Sequence, residues 1–485
     1  MIILQHKKCV KAENLENNVR QEFFRHICET SMIKGKLSKA KGGQKMANPY
    51  LPSWEYIPDG EPRVFGDRIY VYGSHDRVDS DEFCDYKLKV WSAPVNEPGK
   101  WVCHGDAFHT KADRDHASDI DWSEKCLYAP DVVEKDGKYY LYAYVLDSKG
   151  CVAVSDKPEG PFELVSRYEY NIPDHYDNGT FIDPGVLVDD DGRVYVYCGY
   201  LGSYMCEING DNMYQVIDGT YQENIIPTDE PWNFFEACSP RKVGDTYYLI
   251  YSPKRGCQLA YATSDSPTGP FTYRGYIVDN GIDFPGGNNH GSICKIGEQW
   301  YIFYHRMTNG TIMSRRGCVE KIEILPDGTI PPVEMTSLGF EDSLNPYELT
   351  PADTACVLKG SEQLMITEMD AFTRVITNIT EGCVMGWKYF DFGDDFTNGT
   401  MTLSLKMQPR GCSGRIHVYL DDPVDGEKIG TIEFGTGDHV AEGVMRMVTG
   451  RHAVYFVAED AHSGWAKNSF TGRQLLDLEA FVFRK

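Results

Sequence analysis

Gly297-Glu298-Gln299-Trp300-Tyr301-Ile302-Phe303-Tyr304 is the last of five versions of one phrase, a tight turn with Gly beside an acidic residue followed by an aromatic-rich strand. The first versions are Gly66-Asp67 before Arg68-Ile69-Tyr70-Val71-Tyr72 and Asp136-Gly137 before Lys138-Tyr139-Tyr140-Leu141-Tyr142. Asp191-Gly192 before Arg193-Val194-Tyr195-Val196-Tyr197 and Gly244-Asp245 before Thr246-Tyr247-Tyr248-Leu249-Ile250-Tyr251 complete the set. The copies recur at roughly 50–70 residues, at or above the long end of the periods that mark solenoids, propellers and arrays. A hairpin of Tyr and β-branched residues cannot bury its apolar face alone, and no helical pattern separates the copies. Radial stacking of small antiparallel sheets is the solution, one blade per copy. The sequence therefore predicts a five-bladed β-propeller, with polar residues at the starts of the innermost strands meeting in a central funnel.

The propeller phrases occupy 47–336 of the 485 residues, which leaves room for a second fold at 337–485. The formal net charge is −24, spread along the chain, so nucleic acid and anionic membrane surfaces are poor partners. No apolar run is long enough to span a bilayer, and Met1-Ile2-Ile3-Leu4 is cut short by Gln5-His6-Lys7-Lys8. The fifteen cysteines are dispersed, odd in number and free of any CxxC pair, which suggests neither a zinc site nor a disulfide framework and fits reduced thiols in the cytoplasm. Residues 1–46 are basic, lack the strand pattern, and read as a weak helix around Glu13 to Glu29 followed by a flexible linker.

Three carboxylates stand out before or within blade strands: Asp59 in Pro58-Asp59-Gly60-Glu61-Pro62, Asp183 in Phe181-Ile182-Asp183-Pro184, and Glu236 in Phe234-Phe235-Glu236-Ala237-Cys238. Taken singly, an Asp before Pro or Gly is more often a turn residue; three such carboxylates at similar places in blades one, three and four favour a shared site. A buried carboxylate among apolar neighbours must be paired, hydrogen-bonded or protonated, which makes Glu236 a candidate for a raised pKa. Glu61 competes with Asp59 for the first position.

These phrases, with Tyr70-Val71-Tyr72-Gly73-Ser74-His75-Asp76, Ala129-Pro130-Asp131-Val132, Asn288-Asn289-His290-Gly291-Ser292 and Tyr304-His305-Arg306, resemble glycoside hydrolase family 43 over about Asn48 to Pro332. One departure is Gly60 where the family has Pro directly after its first Asp. The resemblance implies Asp59 as general base, Glu236 as general acid and Asp183 as the residue that orients the acid and tunes its pKa. It also implies inverting exo-hydrolysis of terminal pentoses, as a β-xylosidase or α-L-arabinofuranosidase acting on plant-derived oligosaccharides. Endo-arabinanase or galactanase activity and a non-catalytic sugar-binding propeller are the alternatives. A fructan-hydrolysing propeller is a further rival, but its first-blade nucleophile phrase is missing. Arg315, or else Arg316, matches the family arginine that contacts substrate. Trp54 and Asp131 line or brace the pocket. His290 contacts substrate at the propeller axis, where it is either a ligand to a structural calcium ion or a histidine satisfied by backbone. No cofactor is needed for the chemistry.

From about Ser337 the Tyr-rich phrase gives way to short alternating strands, with turns at Asn398-Gly399, Arg410-Gly411 and Asp425-Gly426, which predicts a jelly-roll-like β-sandwich. Ile416-His417-Val418-Tyr419-Leu420 and the closing Leu476 to Phe483 run resemble family 6 carbohydrate-binding modules. On that reading Trp387 and Trp465 form a sugar-stacking platform; otherwise they are packing residues.

Overall fold

The computed structural model describes residues 47–485 apart from 79, 148–149, 168–180 and 395–398, so the expected N-terminal helix and linker lie outside the described residues. Each copy of the phrase forms the second strand of a blade. The first blade runs Glu61–Phe65, Arg68–Tyr72, Lys87–Pro94, Val102–His109, and the second Leu127–Lys135, Lys138–Val145, Gly150–Ser155, Glu163–Arg167. The third runs Gly185–Val188, Val194–Cys198, Tyr204–Ile208, Gln222–Glu223, and the fourth Phe234–Val243, Thr246–Pro253, Gln258–Ser264, Thr272–Asp279. The fifth has three strands, Ser292–Ile296, Gln299–Thr308 and Thr311–Ile322. Pairing within every blade is antiparallel. At Asp136-Gly137 both turn residues take positive φ, 53° and 75°, the two-residue geometry that matches strand twist.

First strands meet around the axis, that of blade one lying against those of blades two and five. The segment before blade one closes the ring. Asn48 donates from Nδ2 to the Val319 carbonyl and the Glu320 carboxylate, and the Tyr50 amide donates to the Gly317 carbonyl. The Tyr50 ring packs against Trp101, Phe303 and Phe340, joining the first and last blades through an aromatic core.

The C-terminal part is a β-sandwich. One run pairs Val357–Lys359, Val384–Asp391, Arg451–Asp460, Gly414–Leu420 and Glu427–Phe434; the other pairs Val440–Arg446, Thr400–Pro409, Leu476–Arg484, Arg374–Ile379 and Met365–Glu368. A single residue pair, Gly430 with Met445, joins the two runs. One apolar core extends from Tyr248, Ile277 and Ile302 of the propeller into the sandwich at Cys356, Met385 and Phe456. Polar contacts add to it: the buried Arg306 donates to the carbonyls of Asp353 and Ala355, Arg316 pairs with Asp353 at 2.8 Å, and Arg374 Nε donates to the Tyr56 hydroxyl at 2.8 Å. Arg316 therefore faces the sandwich.

Trp387 corrects the expectation of a sugar platform. Its side chain is fully buried, with ring centroids 4.9 Å from Phe456 on its own layer and 4.7 Å from Phe481 on the other, so neither face is open to a ligand. Trp465, on the short helix Gly464–Phe470, is 80% exposed. Among the described residues no helix is long and apolar enough to cross a membrane.

Trp387→Ala is expected to cost about 3–5 kcal/mol, the range for emptying a buried aromatic site, and to lower the denaturation midpoint. Trp465→Ala should leave the midpoint unchanged. A Trp387→Ala protein with wild-type stability would contradict the packing described.

Candidate active site

The three carboxylates reach one place because the backbone bends sharply at each. Asp59 has φ 55° and Asp183 φ 52°, a region that non-glycine residues enter only where the surroundings enforce it. Glu236 sits between two irregularities in the pairing of Phe234–Val243 with Thr246–Pro253, and Ala237 beside it has φ 66°. Such bulges re-aim a side chain out of the regular alternation. Two glycines permit the approach of the flanking segments. A Cβ at Gly73 would lie 2.2 Å from the Pro58 carbonyl oxygen, and one at Gly185 would lie 2.2 Å from that of Cys238.

Asp59, Asp183 and Glu236 line one cavity of about 230 Å³, together with Phe83, Cys84, Tyr128, Ile182, Tyr200, Asn288, His290 and Arg315. Arg315 organises it. Its Nη1 donates to Asp59 Oδ1 at 2.8 Å, while Nε and Nη2 donate to the two oxygens of the buried Asp76, each at 2.9 Å. The Phe83 ring covers the guanidinium at 5.1 Å. His305 Nδ1 accepts the Asp59 amide hydrogen at 3.3 Å and its Nε2 lies 3.1 Å from Asn288 Oδ1, a pattern that assigns its proton to Nε2. Burial first, and the Arg315 charge second, push the His305 pKa down to about 3, so the ring is neutral. His290 Nδ1 stands 3.7 Å from Asp59 Oδ1 and 4.0 Å from Asp183 Oδ2.

The electrostatics separate the carboxyl groups. Burial raises the Asp59 pKa, but the Arg315 guanidinium, His290, His305 and the Ser74 hydroxyl together more than reverse this and hold it at about 2. Burial first, then the Asp59 charge, push Glu236 up to about 7. Asp183 is raised by burial and by the charge of Glu236 beside it, so these two oppose each other's ionisation. One cavity thus holds a carboxylate ionised over the whole physiological range and a carboxyl that keeps its proton up to neutrality. Such a pair can take a proton from water and give one to a leaving oxygen.

Several expected residues stand elsewhere. Glu61 is buried in an ion pair with Arg241 at 2.6 Å and does not line the cavity, which decides between it and Asp59. Arg315, not Arg316, reaches the site. Asp131, expected to line or brace the pocket, braces it: wholly buried, it takes Arg63 at 2.5 Å and the Val186 amide at 2.8 Å, tying blades one, two and three together. Trp54 is 39% exposed, lies tilted against Trp91 with ring centroids 5.8 Å apart, and is not among the cavity-lining residues. The walls at Phe83, Cys84, Tyr128 and Tyr200 carry no sequence signal, being single residues at strand ends and in loops of three blades.

A ring of five blades enclosing an acid–base carboxyl pair defines a propeller hydrolase of the glycosidase type. The model of glycosyl hydrolases family 43 matches residues 67–330, and the chain belongs to this family. A xylosidase/arabinosidase of Thermoclostridium stercorarium is 39% identical over 482 residues, covering 87% of this chain and 98% of that protein. The crystal structure of a β-xylosidase/α-arabinofuranosidase from a compost microbial metagenome, in complex with xylotriose, is 31% identical, with a TM-score of 0.51 over 61% of this chain and 99% of its own. An arabinoxylan arabinofuranohydrolase of Bacillus subtilis, solved with cellotetraose, shares the fold at 22% identity and a TM-score of 0.51, covering 90% of this chain and 97% of its own.

In a pH profile of kcat/KM the alkaline limb is expected near pH 7, where Glu236 loses its proton. Arg315→Gln leaves burial as the dominant influence on Asp59, whose pKa then rises, so the acid limb should move to higher pH. An acid limb that stays in place would detach Asp59 from the guanidinium.

Proposed function

We propose that this glycoside hydrolase is an inverting, exo-acting enzyme that removes terminal pentoses from xylo- or arabino-oligosaccharides, as a β-xylosidase, an α-L-arabinofuranosidase or both. The observation that carries the reading is the opposed protonation of Asp59 and Glu236 in a cavity of about 230 Å³. That volume lies below the ~300–1,000 Å³ of pockets for drug-sized ligands and suits a single sugar ring. It favours removal of end residues over cleavage within a chain. The names of the relatives point to the same substrates.

Glu236 donates its proton to the glycosidic oxygen as the bond to the anomeric carbon breaks. Asp59 accepts a proton from the water that attacks the opposite face of that carbon. Arg315, His290 and His305 crowd Asp59 Oδ1, which leaves Oδ2 as the oxygen that faces no cation and takes the proton. Asp183, beside Glu236, orients the acid and adds to the tuning of its pKa that burial and Asp59 begin. Tyr128, Tyr200 and Phe83 offer apolar faces to the sugar. No cofactor enters the chemistry.

A structural calcium ion beside His290 belongs to the same proposal. Burial lowers the His290 pKa, giving the neutral imidazole a metal requires, and Glu61 Oε1 is a buried carboxylate oxygen without a partner. Arg63 and Arg241 already take Asp131 and the other Glu61 oxygen, so water would complete the shell. We assign catalysis to residues 47–336. The sandwich at 337–485 braces that ring, and any sugar binding of the family 6 kind would rest on Trp465. The described cysteines are all free thiols, which supports a cytoplasmic location.

The enzyme is expected to hydrolyse nitrophenyl β-D-xyloside or α-L-arabinofuranoside and to shorten oligosaccharides by one pentose at a time. Mid-chain products would contradict the exo reading. Glu236→Ala should lose roughly 10²–10⁴ in rate on natural linkages, the usual contribution of general acid–base help. The loss should shrink with nitrophenol, which needs no proton to leave; an equal loss on both would remove Glu236 as the acid.

A further inference from the structure

On the outermost strand of blade one, away from the cavity, the chain writes Asp-x-x-His twice: Asp106-Ala107-Phe108-His109, then Asp113-Arg114-Asp115-His116 in the loop that follows. The fold brings all four side chains together, with one donor atom from each within 4.8 Å of every other. The two imidazole rings lie nearly parallel, 4.3 Å apart. His109 is the telling member. Its side chain is only 6% exposed, yet Nε2 has no hydrogen-bond partner and stands 3.7 Å from Asp106 Oδ2. A buried ring nitrogen left unpaired is costly, and the cost is removed when a ligand occupies the space it faces.

We propose that Asp106, His109, Asp113 and His116 form a binding site for a divalent transition-metal ion of the zinc class. Two imidazole nitrogens with two carboxylate oxygens suit that class, whereas calcium and magnesium favour shells made of oxygen alone. A second carboxylate steadies the buried ligand. Asp119 Oδ2 accepts the His109 amide hydrogen at 2.7 Å and lies 3.6 Å from Nδ1, the outer-shell arrangement that leaves Nε2 free for a metal. Asp113 is held by the amides of Asp115 and His116, each at 2.8 Å. Asp113 and His116 are exposed and give the ion a way in. The competing cation is Lys87, whose Nζ lies 3.1 Å from Asp106 Oδ2 and would share that carboxylate or swing to solvent. Arg114 is occupied by Asp115, and Lys111 lies over the Tyr86 ring. The ion would pin the loop after His109 to the blade. That loop is otherwise held by the Thr110 amide on the Tyr86 carbonyl and the Thr110 hydroxyl on the Lys125 carbonyl, and it leads into the strand that carries Tyr128 to the cavity wall.

The test is calorimetric titration of the metal-stripped full chain with zinc chloride, repeated with cobalt chloride while visible absorption is followed. The wild type should bind one ion, show cobalt d–d bands of a nitrogen and oxygen site, and gain thermal stability with zinc. His116→Ala and Asp113→Asn alter exposed residues, so both should fold, but they should bind at least tenfold more weakly and lose the zinc-dependent gain. Equal binding by the variants would place the metal on thiols or other histidines and overturn the proposal. Absence of a one-ion site in the wild type would also overturn it.

Discussion

A single guanidinium, that of Arg315, holds both the ring and its chemistry in place. It belongs to the last strand of the fifth blade, and its hydrogen bonds run to Asp59 and Asp76 at either end of the first blade's opening hairpin. The side chain is nearly inaccessible to water, so its charge acts at short range and with little screening. Removing one partner of such a buried pair costs about 3–5 kcal/mol, because the other charge is left uncompensated. The same bonds that seal the propeller keep Asp59 ionised, and the Asp59 charge in turn helps to keep the proton on Glu236. Closure of the fold and division of the carboxyl roles are therefore one interaction.

Behind this hub stands the sandwich. Arg374 holds the Tyr56 hydroxyl, the Tyr56 carbonyl accepts the Asp76 amide, and Asp76 grips Arg315. Arg306 and Arg316 place two more buried cations against carbonyls and a carboxylate that only the C-terminal part supplies. Stripped of the sandwich, the fifth blade would present unpaired buried charge and one side of a continuous core. The second fold thus supports the first blade's geometry from outside the ring, whatever it does with sugar.

The five blades were legible because their signal is local: a turn that needs positive φ, then an alternation of period two, repeated without interruption. The three carboxylates were legible as phrases for the same reason. The choice between Asp59 and Glu61 was not, since they are two residues apart in one polar stretch. Only the partners across the ring, Arg315 for one and Arg241 for the other, separate them. Asp131 was legible only as a residue that lines or braces the pocket, because the choice rests on Arg63 from the first blade and the Val186 amide from the third, which occupy its carboxylate. Trp387 looked like a platform because a tryptophan in a sandwich strand can face either way. Its contact with Phe481 is a pairing across layers that no local pattern announces. The aromatic walls of the cavity come from separate blades and meet only when the ring closes.

The stereochemistry of hydrolysis tests the central claim most directly. An ionised Asp59 that activates water, opposite a protonated Glu236, requires attack on the face away from the leaving group and no covalent sugar–enzyme intermediate. Proton NMR of the first seconds of β-xyloside hydrolysis should show α-xylose appearing before mutarotation brings in the β form. Initial release of β-xylose would mean that a carboxylate attacks the sugar itself, and would contradict the roles given to Asp59 and Glu236.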